Sequence, residues 1–129
     1  MINHHFSPNL FQSDAPFSHL TRLGDIGFTA GIIGQCPTGG SLVSSDVRAQ
    51  TEQMMQNLAQ LLTEVGLDFS CLLKATIYLT DYADFESINE VYASFLPTPY
   101  PARTTVQTAA LPLGAKVQIE SVVTFESTE

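Results

Sequence analysis

The run Leu72-Leu73-Lys74-Ala75-Thr76-Ile77-Tyr78-Leu79-Thr80 constrains the fold more than any other segment of the chain. It is rich in β-branched, aromatic and long apolar residues and holds one charge, as a central strand does. Two amphipathic stretches flank it. Upstream, Ser44-Ser45-Asp46 reads as a helix N-terminus. Val47, Thr51, Met54, Leu58, Leu61, Leu62 and Val65 then recur at helical spacing, with Arg48, Gln53, Gln56, Gln60 and Glu64 turned elsewhere. Gly66 supplies the stop, and Met54-Met55 reads as core filler. Downstream, Asp81-Tyr82-Ala83-Asp84 forms a loop and cap. A second helix is expected from about Phe85 to Leu96, with Phe85, Ile88, Tyr92 and Phe95 on one face. Pro97, Pro99 and Pro101 end it, because proline lacks the N–H donor.

Shorter strands surround this centre. Leu20–Leu23 and Ile26–Gly31 form a hairpin about Gly24-Asp25. Residues 7–18 are irregular, and Gln35–Gly40 is a loop on turn chemistry. Segments 104–109 and 116–121 alternate as strands, joined through residues 111–115. The order β-β-α-β-α-β-β predicts an α+β domain over residues 1–129, a mixed sheet with both helices on one face. Several strands carry apolar residues on both sides, so the second face needs cover, and the expectation is an oligomer that packs its sheets together.

Composition narrows the function. Five Lys and Arg oppose thirteen Asp and Glu, a net charge of −8 with a pI near 4.6. Without a basic stripe to displace counterions from phosphates, a nucleic-acid partner is disfavoured, and so is an anionic membrane. No apolar run reaches the roughly 18 residues of a membrane helix, and no signal peptide is visible. Cys36 and Cys71 read as free thiols of a reducing cytosol, so the expected location is cytoplasmic. His4-His5 falls in a loose terminus without metal-ligand spacing, and no metal is expected. His19 reads as a strand-edge histidine that borders a cleft at most.

In so acidic a chain, Arg103 stands out. It follows Pro101-Ala102 and opens an alternating segment. Its planar fork can clamp a carboxylate through two parallel hydrogen bonds, which lysine cannot do. On residue type alone, a surface arginine pairing with one of the many acids is the favoured reading.

The blocks Lys74-Ala75-Thr76-Ile77-Tyr78-Leu79-Thr80-Asp81, Asp84-Phe85, Ile88-Asn89-Glu90-Val91-Tyr92 and Pro101-Ala102-Arg103 occur in an order and spacing that resemble the YjgF/Rid family of reactive-intermediate deaminases, also described as endoribonuclease L-PSP-like. The likeness covers about Ala15 to Phe125. It implies a chorismate-mutase-like (YjgF-like) fold, a mixed six-stranded sheet with two helices on one face, and a homotrimer with clefts between subunits. It also implies hydrolysis of reactive enamines and imines to 2-keto acids and ammonia, with no cofactor. The arginine matching Arg103 grips the substrate carboxylate.

The departures cluster at the chemistry. Gln118 occupies the position of a family glutamate thought to place the attacking water. It can hold a water but cannot take its proton at neutral pH. Glu120 lies on the same strand face, about 7 Å away. Phe17 replaces a tyrosine, Ala30 a serine and Thr105 a cysteine, while Gly31 and Asn89 are retained. Arg103 and Gln118 are thus the candidate catalytic pair. Phe17, Gly31, Asn89, Thr105 and Glu120 are candidate substrate contacts beside Arg103, for a small carboxylate or imine ligand. A weakly catalytic or non-catalytic regulatory binder of small carboxylates is the alternative. Ribonuclease activity is the least compatible with the charge.

Overall fold

The computed structural model describes residues 1–126. Nine regular elements follow in chain order: β1 (Asn3–His5), β2 (Leu20–Leu23), β3 (Ile26–Thr29), β4 (Ile32–Ile33), α1 (Val47–Glu64), β5 (Leu72–Leu79), α2 (Phe85–Phe95), β6 (Ala102–Gln107) and β7 (Val117–Thr124). The sheet runs β1-β2-β3-β7-β5-β6, with the short β4 also paired to β7. β5 and β6 are parallel and the other pairs antiparallel, so the sheet is mixed.

The architecture is the expected α+β one, but the sheet has seven strands, where the element order read from the sequence held five and the family resemblance implied six. One reason is β1. The terminus expected to be loose pairs Asn3 with Arg22 and His5 with Leu20. The other is a break in the strand expected over Ile26–Gly31. From Phe28 to Ile32 the chain advances four residues, while its partner strand steps back only three, from Val122 to Ile119. The extra residue is a bulge that bends the chain at Ala30-Gly31.

α1 begins where Asp46 accepts a hydrogen bond from the Ala49 N–H at 2.9 Å. It ends before Gly66, whose φ of +80° suits glycine. The expected stripe is buried: Met54, Leu58, Leu61 and Leu62 have no exposed surface. Two polar residues join them. Gln50 donates to Ser44 O and accepts from the Lys116 N–H. Asn57 donates to the carbonyls of Ile33 and Gln35. Both are satisfied, so burying them fastens α1 to the chain ahead of β7 through Gln50 and to the chain around β4 through Asn57, instead of destabilising it.

β5 and β7 set the two faces. Ala75, Ile77 and Leu79 pair beside Ser121, Ile119 and Val117, all buried beneath the helices. Thr76, Tyr78, Gln118 and Glu120 point the other way. On that second face Ile26, Phe28 and Val106 remain 38%, 50% and 39% exposed. Among the described residues no helix is long and apolar enough to cross a membrane.

Candidate functional site

Arg103 is the second residue of β6 and pairs with Ala75, so its side chain lies on the helix-covered face. There α2 presents Phe85, Asn89 and Tyr92, spaced so that they share one side of the helix. With Ala93, Tyr100, Pro101 and Thr105 they line a cavity of about 460 Å³ around the guanidinium. The guanidinium carbon sits 4.8 Å from the Tyr92 ring centre and 5.6 Å from that of Phe85. Arg103 Nε donates to Thr105 Oγ1 at 3.0 Å, which fixes the direction of the fork.

The ion-pair reading of Arg103 fails. Among the described residues the ion pairs are His5–Glu64, Arg22–Asp25 and Arg48–Glu90, and no carboxylate pairs with Arg103. Burial lowers its pKa, and the nearby tyrosines Tyr92 and Tyr82 oppose that shift. Burial also raises the Tyr92 pKa, against the pull of Arg103. Three buried side-chain polar atoms among the described residues lack a hydrogen-bond partner: Arg103 Nη2, Asn89 Oδ1 and Tyr92 OH. All three belong to residues of this one cavity. Unpaired buried polar groups are expensive, so their convergence marks a place built for a polar ligand.

Gln118 lies elsewhere. It pairs with Tyr78 on β5 and with Ile33 on β4, on the face opposite Arg103. Since β5 separates β7 from β6, the two strands are about 10 Å apart. Gln118 lines a second cavity of about 440 Å³ with Phe17, His19, Gly31, Phe11 and Leu113 among others. The two cavities share no lining residue. A Cβ at Gly31 would stand 2.1 Å from Gln118 Nε2, so any larger residue there displaces the end of the Gln118 side chain. The bulge therefore lets the Gln118 amide lie against bare backbone.

The expected site residues thus fall into two groups within one chain. Arg103, Asn89 and Thr105 come together, as do Phe17, Gly31 and Gln118. Glu120 joins neither. It sits on the open sheet face, where Tyr78 OH donates to Glu120 Oε1, beside a smaller hollow lined by Phe28, Lys74 and Thr76.

Residues 8–125 match the family described as Endoribonuclease L-PSP. The chain belongs to this family, the YjgF/Rid family. It is 44% identical over 110 residues to Reactive Intermediate Deaminase A, chloroplastic, of Arabidopsis thaliana, covering 85% of this chain and 59% of that relative's length. It is 36% identical over 107 residues to the Homo sapiens 2-iminobutanoate/2-iminopropanoate deaminase, covering 83% and 78% of the two chains. The solved structure of E. coli TdcF with bound serine superimposes with a TM-score of 0.88 at 30% identity, over 96% of this chain and 99% of that one.

Some residues of this Rid-family site escaped the sequence reading. Phe85 and Tyr92 read as apolar packing, yet both also wall the Arg103 cavity. Their spacing of four and three residues from Asn89 is the signal that places all three on one helix face. Tyr100, beside the prolines, carried no such signal. His19, set down as a strand-edge residue, is 6% exposed and lines the Gln118 cavity.

Proposed function

We propose that this chain is a Rid-type deaminase. It hydrolyses 2-imino acids of the 2-iminobutanoate and 2-iminopropanoate class to 2-keto acids and ammonia. One domain over residues 1–129 works as a homotrimer, without cofactor, in the cytoplasm. The observation that carries the reading is the Arg103 cavity. An unpaired, half-buried guanidinium stands beside two other buried polar atoms with no partner, in a chain where acids outnumber basic residues. Such a group favours a small carboxylate, which accepts two parallel charge-assisted hydrogen bonds. The name of the Arabidopsis relative supports deamination and that of the human relative imine chemistry, and a relative that holds serine supports a ligand of amino-acid size.

In this reading Arg103 holds the carboxylate and Thr105 fixes the fork. Asn89 offers its carbonyl to the substrate N–H, and the Gln118 amide holds the water. The water oxygen bonds to the imine carbon, the C=N π pair moves to nitrogen, and nitrogen gains a proton while the water loses one to solvent. Collapse of the carbinolamine forms the C=O bond and expels ammonia. Solvent can move these protons, so the reaction needs positioning more than a strong base, which makes Gln118 compatible with turnover.

Arg103 and Gln118 lie on opposite faces of one sheet, so this mechanism requires two copies: the Arg103 cavity of one subunit against the Gln118 cavity of the next. Ile26, Phe28 and Val106 on the uncovered face support such packing. Ammonia release from freshly generated 2-iminobutanoate, measured for the wild type and Arg103→Ala, tests the activity. The expected result is turnover in the first and its loss in the second. Binding of pyruvate without turnover would instead make the chain a carboxylate binder. Sedimentation is expected to give three copies, and a monomer at micromolar concentration would overturn the shared site.

A further inference from the structure

His19 is a buried imidazole with one nitrogen committed and the other free. Its Nδ1 accepts the backbone N–H of Ser7 at 2.8 Å. A nitrogen that accepts is unprotonated, so in the neutral ring the proton sits on Nε2. Nε2 makes no hydrogen bond among the described residues, and the ring lines the Gln118 cavity. Burial, the largest influence, lowers the His19 pKa and favours this neutral form, with Glu64 pulling the other way and His5 adding to the lowering.

The ring is also held in place. Phe6 packs against it, tilted by 47°, at 4.4 Å between ring centres, and Phe17 meets it edge-on at 5.3 Å. Ser7, whose N–H sets the tautomer, is itself tied down, because its hydroxyl donates to Glu64 Oε2 at 2.8 Å. Asn9 and Gln60 donate to the same oxygen, and His5 engages Glu64 Oε1. This network spends four side chains on one carboxylate and thereby fixes the N-terminal segment across the end of α1. Its consequence at the cavity is a rigid N–H donor of known tautomer.

We propose that His19 is a water-positioning residue of this site, its Nε2–H donating to the oxygen of the water that the Gln118 amide also holds. A water in a hydrolytic site has four tetrahedral directions. Gln118 Oε1 accepts one O–H, and His19 Nε2–H occupies one lone pair. The second lone pair is then directed at the imine carbon instead of rotating freely. His19 neither gives nor takes a proton, so the balance of the reaction is unchanged. The inference rests on the deaminase reading and adds to it a contact that survives the replacement of the usual acid by Gln118.

The test uses the whole chain in three forms: wild type, His19→Phe and His19→Gln. His19→Phe keeps the packing with Phe6 and Phe17 but removes the donor. It is expected to lower kcat for 2-iminobutanoate by about tenfold to hundredfold, with KM and pyruvate affinity within about threefold of wild type, since Arg103 is untouched. His19→Gln can accept from Ser7 and donate from its amide, and is expected to recover most of the lost kcat. A purely structural role would lower stability in step with activity and would not be rescued through kcat alone. An unchanged kcat in a folded His19→Phe protein overturns the proposal. A second readout stands apart from turnover: in wild-type protein with 15N-labelled histidine, His19 is expected to show a protonated Nε2 whose resonance moves on adding pyruvate. If the wild type hydrolyses no imine, the deaminase reading fails, and the His19 assignment is then judged on these resonances. A protonated Nδ1, or an Nε2 unmoved by saturating pyruvate, overturns it.

Discussion

The two cavities are nearly equal in volume and opposite in construction. Around Arg103 the polar atoms are left open: Nη2, Asn89 Oδ1 and Tyr92 OH have no partners, and aromatic side chains wall the cavity. Around Gln118 the supporting polar groups are already engaged, Asn57 with two carbonyls and His19 with Ser7. The first region is unfinished until a charged ligand arrives. The second is a finished scaffold that presents neutral groups to whatever lies against it. In the proposed mechanism binding strength is therefore concentrated in one half, and orientation in the other.

The sharpest way to break this contrast is to remove the charge. Arg103→Ala is expected to lower kcat/KM for 2-iminobutanoate by about 10²- to 10⁴-fold, the worth of two charge-assisted hydrogen bonds. Arg103→Lys is expected to recover little of it. Calorimetry with pyruvate checks the binding part directly, and wild-type affinity in Arg103→Ala would remove the Arg103 cavity from the account. A change in the other half reads the orientation part. Gln118→Glu supplies a proton acceptor and is expected to raise kcat by about tenfold to hundredfold, with pyruvate affinity within about threefold. A variant that changed affinity alone would erase the division between the halves.

Smaller effects sharpen the same comparison. Tyr92→Phe deletes a buried hydroxyl without a partner, so the free protein is expected to be as stable or slightly more stable, by up to about 1 kcal/mol. Its pyruvate affinity is expected to fall several-fold, an effect that titration calorimetry resolves. The Gln118 half should also carry the acid sensitivity. Four side-chain hydrogen bonds outweigh burial and hold the Glu64 pKa near 2, against an ordinary value of 4.5. A lowered folded pKa stabilises the protein above the unfolded value, and that contribution is lost as pH falls from about 4.5 towards about 2. Denaturant midpoints across that interval are expected to fall less in Glu64→Gln, which cannot titrate, and an identical fall in both proteins would exclude Glu64 as a source.

Much of the fold was legible because its signals are local. Asp46 and Gly66 bracket α1, and β5 reads as a central strand from its own eight residues. β1 was not legible, because three polar residues, Asn3, His4 and His5, owe their strand to pairing with β2 rather than to propensity. The bulge at Ala30-Gly31 is a matter of register between this chain segment and β7, residues far apart in sequence. The site divided the same way. The family blocks pointed to Arg103 and Asn89, and helix spacing extends that to Tyr92. The opposite facing of Arg103 and Gln118 depends on strand order, which separates β6 from β7 by β5 and has no trace in the spacing of either residue. His19 reads from the sequence only as a strand-edge residue bordering a cleft, because its tautomer depends on a distant partner, the Ser7 N–H.

The central claim is that these two halves make one site only when they come from different subunits. Co-expression of Arg103→Ala with Gly31→Leu, which drives a side chain into the Gln118 amide, tests it most directly. Each variant alone is expected to be inactive. In randomly mixed trimers an intact Arg103 half meets an intact Gln118 half at about one quarter of the interfaces, so about a quarter of wild-type imine hydrolysis is expected to return. If both halves served a ligand within one chain, every subunit would carry a defect, and the mixture would stay inactive.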